Sequence, residues 1–287
     1  MKLSRRSFLA GSAGASLAGI GSRLAIARSR GLKIGVTDWN LRLTGKVEAV
    51  ALAKQVGFDG VQVSLGRKPV NGKLPLDDAA VQQAYLEASR SNKIPIDGTC
   101  LDILHVNYLK NDKLGQKWVA DCIPITTKLN ARVILLPFFG KGALTTQQEM
   151  DYVGDALKEV APEAEKAGVI LGLEDTISAE DNVRIMERSQ SKAVLTYYDV
   201  GNSTNGGFDV VKEIRWLGKS RICQFHLKDN PHYLGEGKID FPAVVDAIID
   251  IKFSGWAHLE TDSPSKNVEA DMGRNLKYIR DLFARKG

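Results

Sequence analysis

The sequence predicts an α/β protein built as a single (β/α)8 barrel, a TIM barrel. Eight short apolar segments recur along residues 32–262, and an amphipathic segment of helical character follows each of them. Most of the apolar segments are continuous rather than alternating, which indicates strands buried on both faces of a parallel sheet. Eight such strand-then-helix units in a chain of 287 residues are typical of this barrel.

The predicted strands, in chain order, are 32–37, 60–65, 93–99, 131–137, 168–174, 193–199, 221–229 and 255–262. The predicted helices are 46–56, 77–91, 114–129, 146–167, 181–189, 209–217, 241–251 and 266–285. Gly57, Gly168, Gly218 and Gly255 each stand between a helix and the next strand, where glycine commonly ends a helix. A doubly wound open sheet is the alternative. The count of eight units and the lack of a G-x-G-x-x-G motif after the first strand disfavour it.

The first 27 residues differ from the rest of the chain and predict an export signal. Arg5 and Arg6 precede a mild Ala/Gly/Leu stretch, and Ala25-Ile26-Ala27 fits a small-x-small cleavage site. We therefore expect a twin-arginine (Tat) signal peptide at 1–27 and one barrel domain at 28–287. The expected location is periplasmic or extracytoplasmic, with no stable membrane insertion after cleavage.

The formal charge of the chain is +5, and the predicted signal carries four of the basic residues and no acidic one. The remaining chain is therefore nearly neutral, which gives no electrostatic reason to expect nucleic acid as a partner. A homo-oligomer is compatible with the sequence and stays open.

Ionisable residues fall at the ends of the last four predicted strands. Glu174 ends the fifth strand, Asp199 ends the sixth, His226 lies in the seventh and Glu260 lies near the end of the eighth. A parallel barrel presents all these strand ends at one rim. Three buried acids and an imidazole would repel one another and be poorly solvated without a cation. The set predicts a site for one divalent ion, Mn²⁺, Co²⁺, Mg²⁺ or Zn²⁺.

Further residues at the same rim are candidates for substrate binding. Trp39 follows the first strand and is suited to stack on a sugar face, and His105 follows the third. Lys228 shares a strand face with His226 and is suited to meet an oxyanion or a carboxylate. Glu236 lies in the Gly-flanked segment "GEGKID".

Four motifs carry a resemblance to a known family: "LGLEDT", "YYDVGN", "QFHLKD" with "LGEGKIDFPAVVDAI", and "GWAHLETD". From Leu32 to the C-terminus the chain resembles the xylose isomerase-like TIM-barrel superfamily, in its sugar phosphate isomerase/epimerase branch. The resemblance implies that Glu174, Asp199, His226 and Glu260 bind one divalent metal. It also implies that Glu174 and Glu260 are the catalytic acid/base pair.

The chemistry that the resemblance implies is proton transfer next to a carbonyl through a metal-stabilised enediolate. The expected protein is a sugar isomerase or epimerase with a small carbohydrate as its substrate. Two residues depart from the ketose 3-epimerase pattern, because Asn202 stands where those enzymes have His and His232 stands where they have Arg. Both are substrate-binding candidates.

Other functions remain open at this point. The departures favour, as an alternative, a lyase or hydratase that acts on keto-sugars or 3-keto-glycosides with the same site. A non-catalytic sugar-binding barrel is a second alternative. An endonuclease IV-like enzyme is disfavoured, because it needs a histidine-rich site for three zinc ions and the chain has only four His.

Overall fold

The computed structural model describes residues 31–286, and in them eight parallel strands close into a barrel that helices surround. Each strand pairs with the next one along the chain, and the eighth pairs with the first. The predicted TIM barrel is confirmed. The predicted signal peptide, 1–27, lies outside the described residues.

The strands are β1 Leu32–Thr37, β2 Gly60–Ser64, β3 Ile96–Cys100, β4 Val133–Pro137, β5 Ile170–Glu174, β6 Val194–Asp199, β7 Ile222–Leu227 and β8 Gly255–Leu259. The helices are α1 Glu48–Val56, α2 Ala79–Asn92, α3 Lys113–Lys128, α4 Gln147–Ala167, α5 Ala179–Ser189, α6 Val200–Asn205, α7 Val210–Leu217, α8 Phe241–Asp250 and α9 Val268–Lys286. Three short 3-10 turns lie at Pro75–Asp77, Asp102–His105 and Gly140–Gly142.

Local signals in the sequence explain where the helices start and stop. Thr146 and Glu149 form a capping box at the start of α4, in which each side chain accepts a hydrogen bond from the backbone of the other residue. Gly168 ends the same helix with a positive φ of 68°, and Gly57 ends α1 with a φ of 103°. That backbone region favours glycine, so both predicted helix ends are confirmed.

The structure differs from the prediction just after β6. The sequence predicts no helix between residues 199 and 209, but the short helix α6 begins at Val200. Asp199 is its N-cap, because the carboxylate accepts the backbone N–H of Asn202 at 2.8 Å. Strands β7 and β8 are also shorter than predicted, so Glu260 lies one residue beyond β8.

The main apolar core lies between the barrel and the helices, and a smaller apolar cluster contains Cys100, Val133, Leu135 and Tyr197. The hydroxyl of Tyr197, on β6, reaches Gln62 on the opposite strand β2, so this cluster lies inside the barrel. Among the described helices, none has both the length and the apolar character needed to cross a membrane.

Candidate metal centre

The structure brings the four predicted metal ligands to one place. Glu174 is the last residue of β5, Asp199 is the last of β6, and Asp199 pairs in register with His226 of β7. Glu260 follows β8, where its backbone N–H donates to the carbonyl of Leu227 at 3.1 Å. One ligand atom from each of the four side chains lies within 4.8 Å of all the others.

The Nδ1 atom of His226 faces all three carboxylates. It lies 2.7 Å from Glu174 Oε1, 3.5 Å from Glu260 Oε2 and 3.6 Å from Asp199 Oδ2. The side chains of Glu174, Asp199 and His226 are almost completely buried, whereas that of Glu260 keeps 17 % of its surface exposed. The site is therefore closed on the barrel side and open on the Glu260 side.

Burial and mutual repulsion dominate the electrostatics of this cluster. Burial, supported by the charge of Glu260, raises the pKa of Glu174, and the charge of His226 opposes that rise only in part. Burial also disfavours the charged form of His226, but Glu260 and Glu174 outweigh it and raise the pKa of His226. The metal-free cluster thus retains protons that ordinary carboxylates and imidazoles would lose at neutral pH.

Lys228 is the positive group of the site. Its Nζ lies 2.7 Å from Asp199 Oδ2 and 2.5 Å from Glu260 Oε2. Burial disfavours the charged ammonium, but Asp199 and Glu260 outweigh burial and raise the pKa of Lys228. Lys228 and His226 in turn overcome the burial of Asp199 and lower the pKa of that carboxyl. Asp199 is therefore more firmly ionised than Glu174, whose pKa is raised.

The donor set fits a divalent ion. Three carboxylates and one imidazole offer oxygen and nitrogen atoms that converge within 4.8 Å, which suits Zn²⁺, Mn²⁺, Co²⁺ or Mg²⁺. Asp199 has already committed Oδ1 to the N–H of Asn202, so its Oδ2 is the oxygen turned toward the centre. Nδ1 of His226 faces the same point.

A cavity of about 840 Å³ opens above this cluster, and Glu174, Glu260 and Lys228 form part of its wall. That volume is in the range of pockets that hold small molecules. Three more of the predicted substrate-binding residues line it: Trp39, His105 and Asn202. Trp39 also donates its Nε1–H to Glu260 Oε1 at 2.9 Å, so it orients a candidate catalytic group.

Two predicted substrate-binding residues, His232 and Glu236, are not among the described residues that line this cavity. Both are exposed, and Glu236 forms an ion pair with Arg274. The reason is Asp229, whose carboxylate accepts four backbone N–H groups of the following loop. The four donors are Gly235, Gly237, Lys238 and Ile239. The loop thus folds around Asp229, and the two side chains lie on its exposed surface.

Sequence reasoning missed several cavity residues on the β2 and β3 side. Ser64 Oγ donates to Asp102 Oδ2 at 2.5 Å, and both line the cavity together with Arg67 and Lys68. Their signal in the sequence was a polar residue at the end of the second strand and an acid just after the third, at the same rim as the four ligands.

Comparison with known proteins matches residues 50–282 to the model of the xylose isomerase-like TIM barrel family. The chain belongs to this family. A family relative, 2-epi-5-epi-valiolone 7-phosphate 2-epimerase from an Actinoplanes species, is 25 % identical over 201 residues, which are 69 % of this chain and 73 % of the relative.

Two solved structures share the fold of this family member. An L-ribulose 3-epimerase superposes with a TM-score of 0.73 at 18 % identity, over 89 % of this chain and 96 % of that one. A 3-keto-D-glucoside 4-epimerase from E. coli superposes with a TM-score of 0.67 at 16 % identity, over 87 % of this chain and 99 % of that one.

Proposed function

We propose that the protein is a divalent-metal-dependent sugar isomerase or epimerase that moves a proton at a carbon next to a carbonyl. The observation that carries the proposal is the convergence of Glu174, Asp199, His226 and Glu260 within 4.8 Å, beside a cavity of substrate size whose wall includes the two glutamates. The similar proteins are sugar epimerases, and this chain is an enzyme that acts on carbohydrates.

The two glutamates are the proposed proton-transfer groups. Glu174 is held by His226 Nδ1, and Glu260 is held at both oxygens, by Trp39 Nε1–H and by the ammonium of Lys228. Each carboxylate is therefore fixed in direction before a substrate arrives. One takes a proton from carbon and the other returns one, and their roles exchange in the reverse reaction.

The remaining residues bind and orient the substrate. Trp39 offers an aromatic face to a sugar ring, and Lys228 offers an N–H donor to an oxygen that gains negative charge. A divalent ion held by Glu174, Asp199, His226 and Glu260 would polarise the substrate carbonyl as a Lewis acid.

Solvent deuterium tests the proposal directly. Each sugar of a panel is incubated with the metal-replete protein in D₂O and followed by NMR. We expect deuterium at a carbon next to a carbonyl. Glu174→Gln and Glu260→Gln should each slow its entry by at least about 10³-fold, the scale of a lost acid or base. The matched control is Glu163→Gln, an exposed acid on α4, which should retain the wild-type rate. A metal-loaded wild type that binds sugars without any exchange would instead indicate a non-catalytic sugar-binding barrel.

A lyase or hydratase acting on 3-keto-glycosides is the second candidate. The observation that favours it is Asn202, which lines the cavity and whose buried Nδ2 has no hydrogen-bond partner among the described residues. A free amide donor at this place is suited to a glycosidic or hydroxyl oxygen. Including 3-keto-glycosides in the same panel separates the two candidates, because elimination creates alkene proton signals and epimerisation does not.

We propose in addition that residues 1–27 export the folded protein through the Tat system. The support is the order of twin arginines, mild apolar stretch and small-x-small site in the sequence. Expression of the full chain and of an Arg5→Lys/Arg6→Lys variant tests this. Wild-type protein in the periplasmic fraction should begin at Arg28, and the variant should remain inside the cell.

A further inference from the structure

A chain of hydrogen bonds lies beneath the proposed metal centre. His226 Nε2 lies 3.1 Å from Gln62 Oε1, and the hydroxyl of Tyr197 donates to the same oxygen at 3.2 Å. The Tyr197 hydroxyl also lies 2.7 Å from His258 Nδ1, and His258 Nε2 lies 2.7 Å from Asp97 Oδ1. The chain thus joins strands β2, β3, β6, β7 and β8 through the middle of the barrel.

The side-chain amide of Gln62 has a defined direction. Gln224 donates its Nε2–H to the backbone carbonyl of Asp97 at 3.0 Å, which leaves its Oε1 facing the interior. Gln62 Nε2 and Gln224 Oε1 lie 3.3 Å and 3.2 Å from the position that a Cβ on Gly98 would take. Both atoms are buried without a hydrogen-bond partner among the described residues, whereas the carbonyl oxygen of Gln62 is turned to His226 and Tyr197.

This direction decides which nitrogen of His226 carries the proton. A carbonyl oxygen only accepts hydrogen bonds, so Gln62 Oε1 can pair with His226 only if Nε2 bears the hydrogen. When the ring gives up its other proton to bind a metal, the lone pair is on Nδ1, the nitrogen that faces the three carboxylates. The Tyr197 hydroxyl donates its one hydrogen to Gln62 Oε1, so it accepts a hydrogen bond from His258 Nδ1.

Two glycines leave space for the Asp97–His258 end of this hydrogen-bond chain. A Cβ on Gly35 would lie 2.6 Å from the His258 ring, and a Cβ on Gly60 would lie 2.2 Å from Asp97 Oδ2. Any larger residue at either position would collide with the Asp97–His258 pair. The neighbouring strands β1 and β2 thus carry glycine, which has no side chain, at the positions next to the Asp97–His258 pair.

We propose that Gln62, Tyr197, His258 and Asp97 are positioning residues that hold His226 with Nε2 protonated and Nδ1 free to bind the metal. The inference rests on the metal site of the proposed function. A hydrogen-bond acceptor behind a histidine ligand fixes the ring and makes the ligating nitrogen more basic. Here the neutral amide of Gln62 is in direct contact with His226, and the Asp97–His258 pair follows behind Gln62 and Tyr197.

Zinc affinity of the full chain tests the inference. The dissociation constant is measured by competition with a chelator, first for the wild type. Gln62→Leu removes the acceptor at similar volume and should weaken Zn²⁺ binding by about 10–100-fold. Tyr197→Phe removes the second link and should weaken binding less, by under about tenfold. The matched control is Tyr85→Phe, since the Tyr85 hydroxyl is buried without a partner and belongs to a different part of the fold.

A rescue variant and an NMR measurement separate positioning from mere stability. Gln62→Glu keeps an acceptor for His226 Nε2–H and should bind Zn²⁺ at least tenfold more tightly than Gln62→Leu. In the zinc-loaded wild type, ¹⁵N NMR should show His226 bound to metal through Nδ1, with a slowly exchanging proton on Nε2. A wild-type affinity in Gln62→Leu, or coordination through Nε2, would overturn the inference alone. A wild type that binds no divalent ion would overturn the metal part of the proposed function as well.

Discussion

Two buried histidines lie side by side in this barrel, and their surroundings differ. The rings of His226 and His258 are 6.1 Å apart, and the side chains of both are completely buried. His258 faces one carboxylate, Asp97. His226 faces three carboxylates, and Lys228 is bound to two of them.

Charge balance is what distinguishes the two regions. Asp97 and His258 form a closed pair, which is neutral whether its protons are shared as ions or as neutral groups. At the rim, three carboxylates exceed the single charge of Lys228 by two, so a divalent ion and a neutral His226 make the site neutral. Buried charge has to be compensated, and the rim is where donor atoms of four side chains converge within 4.8 Å. The same residue type is therefore a proposed metal ligand in one region and a proposed support in the other.

The largest expected difference between the two regions comes from replacing one acid by its amide in each of them. Asp97→Asn should lower the free energy of unfolding of the metal-free protein by about 3 kcal/mol, because His258 loses its charged partner inside the barrel. Glu174→Gln should change it by under about 1 kcal/mol, because the amide resembles the protonated form that Glu174 retains in the metal-free protein. Urea unfolding in the presence of EDTA measures both. Equal losses in the two variants would contradict the difference between the regions.

The effect of added Zn²⁺ on stability tests the region at the rim. Zn²⁺ at 100 times its dissociation constant should stabilise the wild type by about 2.7 kcal/mol. For a domain of this size that corresponds to a Tm increase of roughly 5–10 °C. Differential scanning fluorimetry with and without Zn²⁺ gives the shift. Glu174→Gln should lose it and Glu163→Gln should keep it, whereas a shift that survives in Glu174→Gln would place the ion elsewhere.

Asp38 is another buried acid, but no histidine is paired with it. It shows how a buried carboxyl behaves without such a partner. Its Oδ2 accepts the backbone N–H groups of Gly45 and Ser64, and its Oδ1 has no partner among the described residues. Burial raises the pKa of Asp38 from 3.8 to about 8, against the effect of those backbone donors.

The sign of its pH effect follows from proton counting. Between pH 4 and pH 8 the unfolded chain releases the Asp38 proton before the folded one does, so the stability of the wild type falls as the pH rises. Asp38→Asn mimics the protonated acid and should be about 2 kcal/mol more stable than the wild type at pH 8, with little difference at pH 4. Urea titrations at the two pH values measure this, and a gain of equal size at both would refute the titration of Asp38 as its cause.

The smallest expected effect concerns the open side of the rim. Trp39→Phe keeps an aromatic ring but removes the N–H donor to Glu260, which should cost about 1 kcal/mol of transition-state stabilisation. The expected result is a loss of about fivefold in kcat/KM on the substrate found by deuterium exchange, with zinc affinity nearly unchanged. A large loss of zinc affinity instead would show that Trp39 supports the metal site.

Two predicted substrate-binding residues, His232 and Glu236, are not among the described residues that line the cavity. His232 was a candidate because it stands where ketose 3-epimerases have Arg, and Glu236 because it lies in the Gly-flanked segment "GEGKID". The carboxylate of Asp229 binds the backbone of residues 235–239 in that loop, and the side chains of His232 and Glu236 are exposed. The hydrogen bonds within a loop determine its conformation. The alternation of residues along a strand therefore does not predict where the side chains of a loop lie.

The sequence by itself determined the barrel and the group Glu174, Asp199, His226 and Glu260. Both follow from local pattern, because eight apolar strands with helices between them close one way, and parallel strands end at one rim. Only the tertiary structure decided that Gln62, Tyr197, His258 and Asp97 form one hydrogen-bonded chain behind His226. These residues come from strands on different sides of the barrel, and their contacts depend on distances across it that no local pattern contains.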